Sequence, residues 1–161
     1  MAGVRGCSWA GGAKEIVTRW IKVASMTAAQ RSATTGQITK GGHLDVFSLH
    51  AGDCFQSPPG SQLDSGLGRV TVVPCASLRS AQVIAQLPAQ GSAYPGEAAF
   101  RAQAVPGCKA RVAAVVDRSK VAATMKLIYL YPQPQAWAKG QRTIKCVVVD
   151  SSQDLTSSLL K

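Results

Sequence analysis

The chain holds 161 residues, with 18 Lys and Arg against 8 Asp and Glu for a net charge of +10. That length suits one domain with a substantial core, and the 16% of charged side chains is low against the usual figure of about 25%. The basic residues are dispersed from Arg5 to Lys161, so a polybasic tail is excluded. A nucleic-acid binder is disfavoured, because no basic patch is interleaved with aromatics.

Residues 1–26 contain no apolar run of the roughly 7–15 residues that a signal peptide requires. Ile16, Val17, Trp20, Ile21, Val23 and Ala24 recur at near-helical spacing but are interrupted by Arg19 and Lys22. They read as an amphipathic helix on a membrane surface or on the protein's own core, not as a span. Cys7 lacks the preceding hydrophobic region of a lipidation signal. Residues 27–42 turn to Ala, Ser, Thr, Gln and Gly, which reads as a linker. The expected division is an N-terminal segment, 1–42, and a folded domain, 43–161.

Within that domain, alternation over 45–50 predicts a short strand ending in the turn Ala51-Gly52-Asp53, where Asp53 fixes the turn. Residues 56–68 read as a loop, and the β-branched run 69–74 and the apolar run 82–87 read as strands. Tyr94-Pro95-Gly96-Glu97 marks a helix start, with proline at the first helical position and Glu97 in the first turn. The helix, 95–116, carries Phe100, Ala104, Cys108, Val112 and Val115 on one face and is expected to kink or restart at Pro106. Two further strands, 125–131 and 142–149, flank a Pro-bounded turn that carries Trp137. The expected fold class is α+β, a small, mainly antiparallel sheet with one kinked helix packed on a face and disulfide staples.

The cysteines are Cys7, Cys54, Cys75, Cys108 and Cys146, with no C-x-x-C pair. The four inside the patterned region allow three pairings. Cys108 lies on the apolar stripe of the helix, and Cys146 shares a strand face with Ile144 and Val148. A helix packed on that face brings these two together, leaving Cys54 and Cys75, at strand ends, for the second bridge. An even number within the fold implies an oxidising compartment.

Chemistry-bearing groups are few. His50 and Cys54 are four apart, but in a strand and turn they do not make a thiol–base pair. His43, His50, Cys54 and Cys75 lack zinc-site spacing, and the acids fall at turns and element ends. No phosphate loop, dinucleotide fingerprint or serine elbow is present. No catalytic residue, metal or cofactor is expected. The candidate binding surface is Trp137 with Lys139 and Arg142, where a Trp in a turn beside two cations could stack on a sugar or dock a partner. The competing reading has Trp137 capping the sheet and Arg142 pairing with a carbonyl or carboxylate.

The strings VFSLHAGDCF, TVVPC, AYPGEAAF, LIYLYP, the W-A-x-G-x-R of 137–142 and the closing CVVVD occur in this order. Together, over about residues 36–160, they make the chain resemble the actinobacterial septum-formation domain family. The resemblance implies an extracytoplasmic cell-envelope domain tied to cell division. It also implies a membrane helix or lipid anchor at the native N-terminus, which residues 1–26 do not show. The expected partner is a cell-envelope or division protein or an anionic wall polymer. Departures from the family pattern are Arg79 in place of a His, Gln82 in place of a Glu, Gln141 in place of an acid, and the glycine-free Leu155-Thr156-Ser157-Ser158. They put any acid–base or metal role of those positions in doubt.

Overall fold

The computed structural model describes residues 29–57 and 69–161. The amphipathic segment 15–24, Cys7 and most of the 56–68 loop lie outside these residues.

Six strands form one antiparallel sheet: β3 (Gly42–Asp45), β4 (Cys54–Gln56), β5 (Arg69–Val73), β6 (Ala81–Pro88), β7 (Met125–Leu130) and β8 (Thr143–Asp150). Their spatial order is β3-β5-β4-β6-β8-β7, and every pairing is antiparallel. A separate pair, β1 (Gln30–Arg31) and β2 (Ile38–Lys40), precedes them. The described residues also form the long helix α1 (Glu97–Val115), the short α2 (Pro134–Ala138) and 3₁₀ turns at Val46–Ser48 and Arg118–Lys120. This is the expected α+β architecture, with β5 through β8 where the apolar runs placed them.

Three expectations are corrected. The strand over 45–50 is instead the end of β3 followed by a 3₁₀ turn, Val46–Ser48, because the Asp45 side chain accepts from Phe47 N at 2.8 Å and caps it. Val46 and Leu49 still point into the core from that turn, so their apolar pattern is real although the element is not a strand. Part of the compositional linker carries regular structure: β1 and β2 pair, and Ile38, 7% exposed, joins the core. Polar composition concealed it because only one residue of β2 faces inward. Lastly, of the two outcomes expected at Pro106, a kink or a restart, the continuous α1 rules out the restart. That proline lies on the exposed face, so the unpaired carbonyl of the exposed Ala102 one turn earlier is left to water. The helix begins after Gly96, whose φ of 86° suits glycine, so Glu97 rather than Pro95 opens the first turn.

The sheet separates two apolar layers. On one side α1 packs against β6, β7 and β8 through Phe100, Ala104 and Cys108, each wholly buried, with Ile144 and Cys146 opposite. Gly107 permits the close approach, since a Cβ there would sit 2.6 Å from Leu87 Cδ1. Residues 155–160 close the end of this layer through bridges from Leu155 to Arg79 and from Leu160 to Val116. On the other side Phe55, Val70, Val72, Val83 and Val147 meet Val46, Leu49 and Ile38. Each large side chain buried this way contributes roughly 1.5–3 kcal/mol.

Two disulfides tie the layers to the sheet. Cys108–Cys146 joins α1 to β8 with Cα atoms 5.5 Å apart, and Cys54–Cys75 joins β4 to the β5–β6 connection with Cα atoms 5.2 Å apart. Strand β8 alternates as expected, with Ile144, Cys146 and Val148 toward the helix layer and Lys145 and Val147 toward the other.

Candidate functional site

Proline at the first position starts α2, and the following turn folds Trp137 inward. The indole is 5% exposed and meets Tyr94 and Phe100 edge-on, with centroids 6.1 and 5.7 Å away. Its face is covered by Arg142, whose guanidinium carbon lies 3.7 Å from the ring centroid. Arg142 Nη1 also donates to the carbonyls of Trp137 and Gln141 at 2.5 and 3.0 Å. The structure therefore brings Trp137 and Arg142 together as a corner that closes the end of the sheet. The ring face that a sugar would need is already occupied. Lys139 stands apart, exposed on the turn that Gly140 completes.

The histidine and cysteine candidates do not converge. Cys54 and Cys75 are joined to each other, so neither is a thiolate nucleophile or ligand. His50 is exposed, and His43 Nδ1 lies 3.3 Å from Thr71 Oγ1. Among the described residues no group of three His, Cys, Asp or Glu side chains could hold a metal ion.

What sequence reasoning largely missed is a set of buried polar side chains that hold loops to the sheet. Asp53, 4% exposed, accepts from His50 N at 2.7 Å and from both terminal nitrogens of Arg31 at 2.6 and 2.5 Å. The turn role foreseen for Asp53 is there, but its bidentate partner comes from the hairpin read as linker. The bond to the Asp53 carboxylate raises the Arg31 pKa, against a smaller lowering by burial.

Lys145, 1% exposed, sends Nζ 2.6 Å to the Leu49 carbonyl, which also accepts from Gln86 Nε2 at 2.7 Å. Burial lowers its pKa to about 8 despite the attraction of Asp53 and Asp45. The signal for this was in the strand TIKCVVVD, where strict alternation puts Lys145 on the same face as Val147.

Arg79 and Gln82, two of the departures from the family pattern, form the third cluster. Arg79 is fully buried without a carboxylate and donates to the carbonyls of Cys75 at 2.5 Å and Ser157 at 2.7 Å. It reaches Gln82 Oε1 at 3.3 Å, while its Nε has no partner. Gln82 Oε1 accepts from Leu159 N at 2.8 Å, and its Nε2 donates to Ser158 Oγ at 3.0 Å and the Gly52 carbonyl at 3.3 Å. Desolvation lowers the Arg79 pKa. The pair acts as a clamp on residues 155–159, not as an acid–base couple.

No helix among the described residues is long and apolar enough to cross a membrane. Comparison with curated proteins gives no match, and comparison with solved structures gives none. A sequence model of the family described as septum formation matches residues 6–146. Together with the paired disulfides, that match points to an extracellular or envelope location. With most of its length covered, the chain belongs to the septum formation family.

Proposed function

We propose that this chain is an extracytoplasmic, non-enzymatic binding domain of the cell envelope that engages a division or wall component during septum formation. The observation that carries this reading is the use of the buried polar side chains. Asp53, Arg79, Gln82 and Lys145 are spent on backbone carbonyls, backbone amides or one another. An enzyme instead needs a proton-transfer group held free at a cleft. The two disulfides fit a fold that persists outside the reducing cytosol.

The test is sedimentation of the oxidised chain with purified wall sacculi, with release of soluble wall fragments followed in the same tubes. The expected result is pelleting with the sacculi and no release above the wall-only control, or, for a protein partner, a cross-link to a division protein in cells. Fragment release abolished by a single Asp or Glu substitution would replace this reading with a wall hydrolase. Absence of both pelleting and a cross-linked envelope partner would overturn it.

A further inference from the structure

The connection from α1 to β7 sets an exposed large hydrophobic residue among exposed cations. Val121 is 53% exposed, and Ala122 and Ala123 beside it are exposed as well. Arg118 and Lys120 precede this apolar run and Lys126 follows it, all three exposed. The other large exposed hydrophobic residue, Leu78, has no such flanking, because its neighbour Arg79 is buried. Lys161 is drawn to the same end, donating from Nζ to the Ala114 carbonyl at 3.0 Å, and Lys120 Nζ reaches the Ser158 carbonyl at 2.8 Å.

The loop is held in shape. Val121 N donates to the Arg118 carbonyl at 3.3 Å, Met125 N to the Ala122 carbonyl at 3.1 Å, and Ser151 Oγ to the Thr124 carbonyl at 3.1 Å. Acids do little to offset the cations here. From Ala98 to Val149 the sequence holds a single acid, Asp117. Its Oδ1 is taken up by Ser119 N and Oγ at 3.1 and 2.7 Å, and its Oδ2 lies 3.8 Å from Lys120. Asp150, opposite Met125 in the ladder, is 4% exposed and accepts from Ser152 N. The side chains of Arg118 and Lys126 have no hydrogen-bond or ion-pair partner among the described residues.

We propose that residues 118–126 form a membrane-contact tip that rests on an anionic lipid surface, with Val121 at the headgroup boundary and Arg118 and Lys126 against lipid phosphates. A hydrated anionic polymer would use only the cations. The aliphatic run between them gains free energy only where an apolar layer lies beneath the charge. The proposal stands apart from the choice of division or wall component.

The test uses the full chain and vesicles of phosphatidylglycerol mixed with phosphatidylcholine, against vesicles of phosphatidylcholine alone. Because residues 1–28 carry their own cations, including Arg19 and Lys22, the tip variants decide the outcome. Arg118→Ala combined with Lys126→Ala should weaken partitioning about 30-fold, and Val121→Ser about fourfold. Leu78→Ser should leave it unchanged. Circular dichroism of each variant verifies that the fold is retained. No preference for the anionic vesicles would overturn the proposal, as would equal binding by all variants. A loss confined to the charge variant would also overturn it, marking a polyanion site, and so would a loss confined to Val121→Ser.

Discussion

Substitution Lys145→Met removes a buried ammonium while keeping its volume, and the Leu49 carbonyl retains Gln86 Nε2 as a donor. The sign of the pH effect follows from linkage. With a pKa lowered from 10.5 to about 8, the native state binds fewer protons than the unfolded chain between those values. Stability of the wild type therefore rises with pH across that window, and the desolvation penalty is fully present below it. At about 1.36 kcal/mol for each pKa unit, the wild type should gain about 3 kcal/mol relative to the variant from pH 8 to 10.5. Urea unfolding at intervals across this range, without reductant and with Cys7→Ser in both proteins to prevent thiolate attack on the disulfides, measures the difference. The comparison cancels tyrosine titration, which affects both chains alike. A difference that stays flat, or that moves against the wild type, would refute the argument that Lys145 is desolvated by the 46–53 segment.

Paired replacement of Cys108 and Cys146 by Ser should cost about 4 kcal/mol and that of Cys54 and Cys75 about 3 kcal/mol, because the loops closed span 38 and 21 residues. A thiol count on unfolded, unreduced protein from the native host should find Cys7 alone free; five free thiols would remove the case for export. Arg31→Met should destabilise by about 2 kcal/mol, reduced from the value for a fully buried pair because the Arg31 side chain keeps 23% exposure. Denaturant unfolding measures this, and a change near zero would make the 29–40 hairpin dispensable. Gly107→Ala should cost about 1 kcal/mol, the overlap with Leu87 exceeding the helix-propensity gain. Adding Leu87→Ala should remove that overlap, and a double-mutant cycle without coupling would deny the contact.

The sequence made the strands β5 to β8, the helix face and the cysteine geometry legible because each rests on a local period of apolar residues. Cys108 and Cys146 could be oriented before their partners were seen, since helix and strand periodicities fix which way a side chain points. The hairpin of β1 and β2 was hidden by composition, because its attachment comes from Arg31 meeting Asp53 across 22 residues of chain. The Arg79 clamp was equally non-local, with acceptors at Leu155 and Ser157 some 76 and 78 residues later. Trp137 showed the limit of residue type as evidence. A tryptophan beside an arginine suits a sugar platform or a closed corner equally, and the choice depends on Tyr94 and Phe100 arriving from another element.

Strand β6 contains a register shift between Val83 and Ala85, where Ile84 has no separate partner on β8. Ahead of it Ala81 and Val83 belong to one apolar layer, and beyond it Ala85 and Leu87 belong to the other. The extra residue thus works as a phase shifter, letting one strand serve both cores in succession. It also turns Gln82 toward the clamp on one side and Gln86 toward the Leu49 carbonyl on the other. Were Ile84 taken into the ladder with its own partner on β8, the uniform two-residue beat would send Leu87 away from α1 and swing Gln86 beneath it, whereas deleting Ile84 would leave both facing as they do. In this fold, a single uncounted residue decides which glutamine holds which loop.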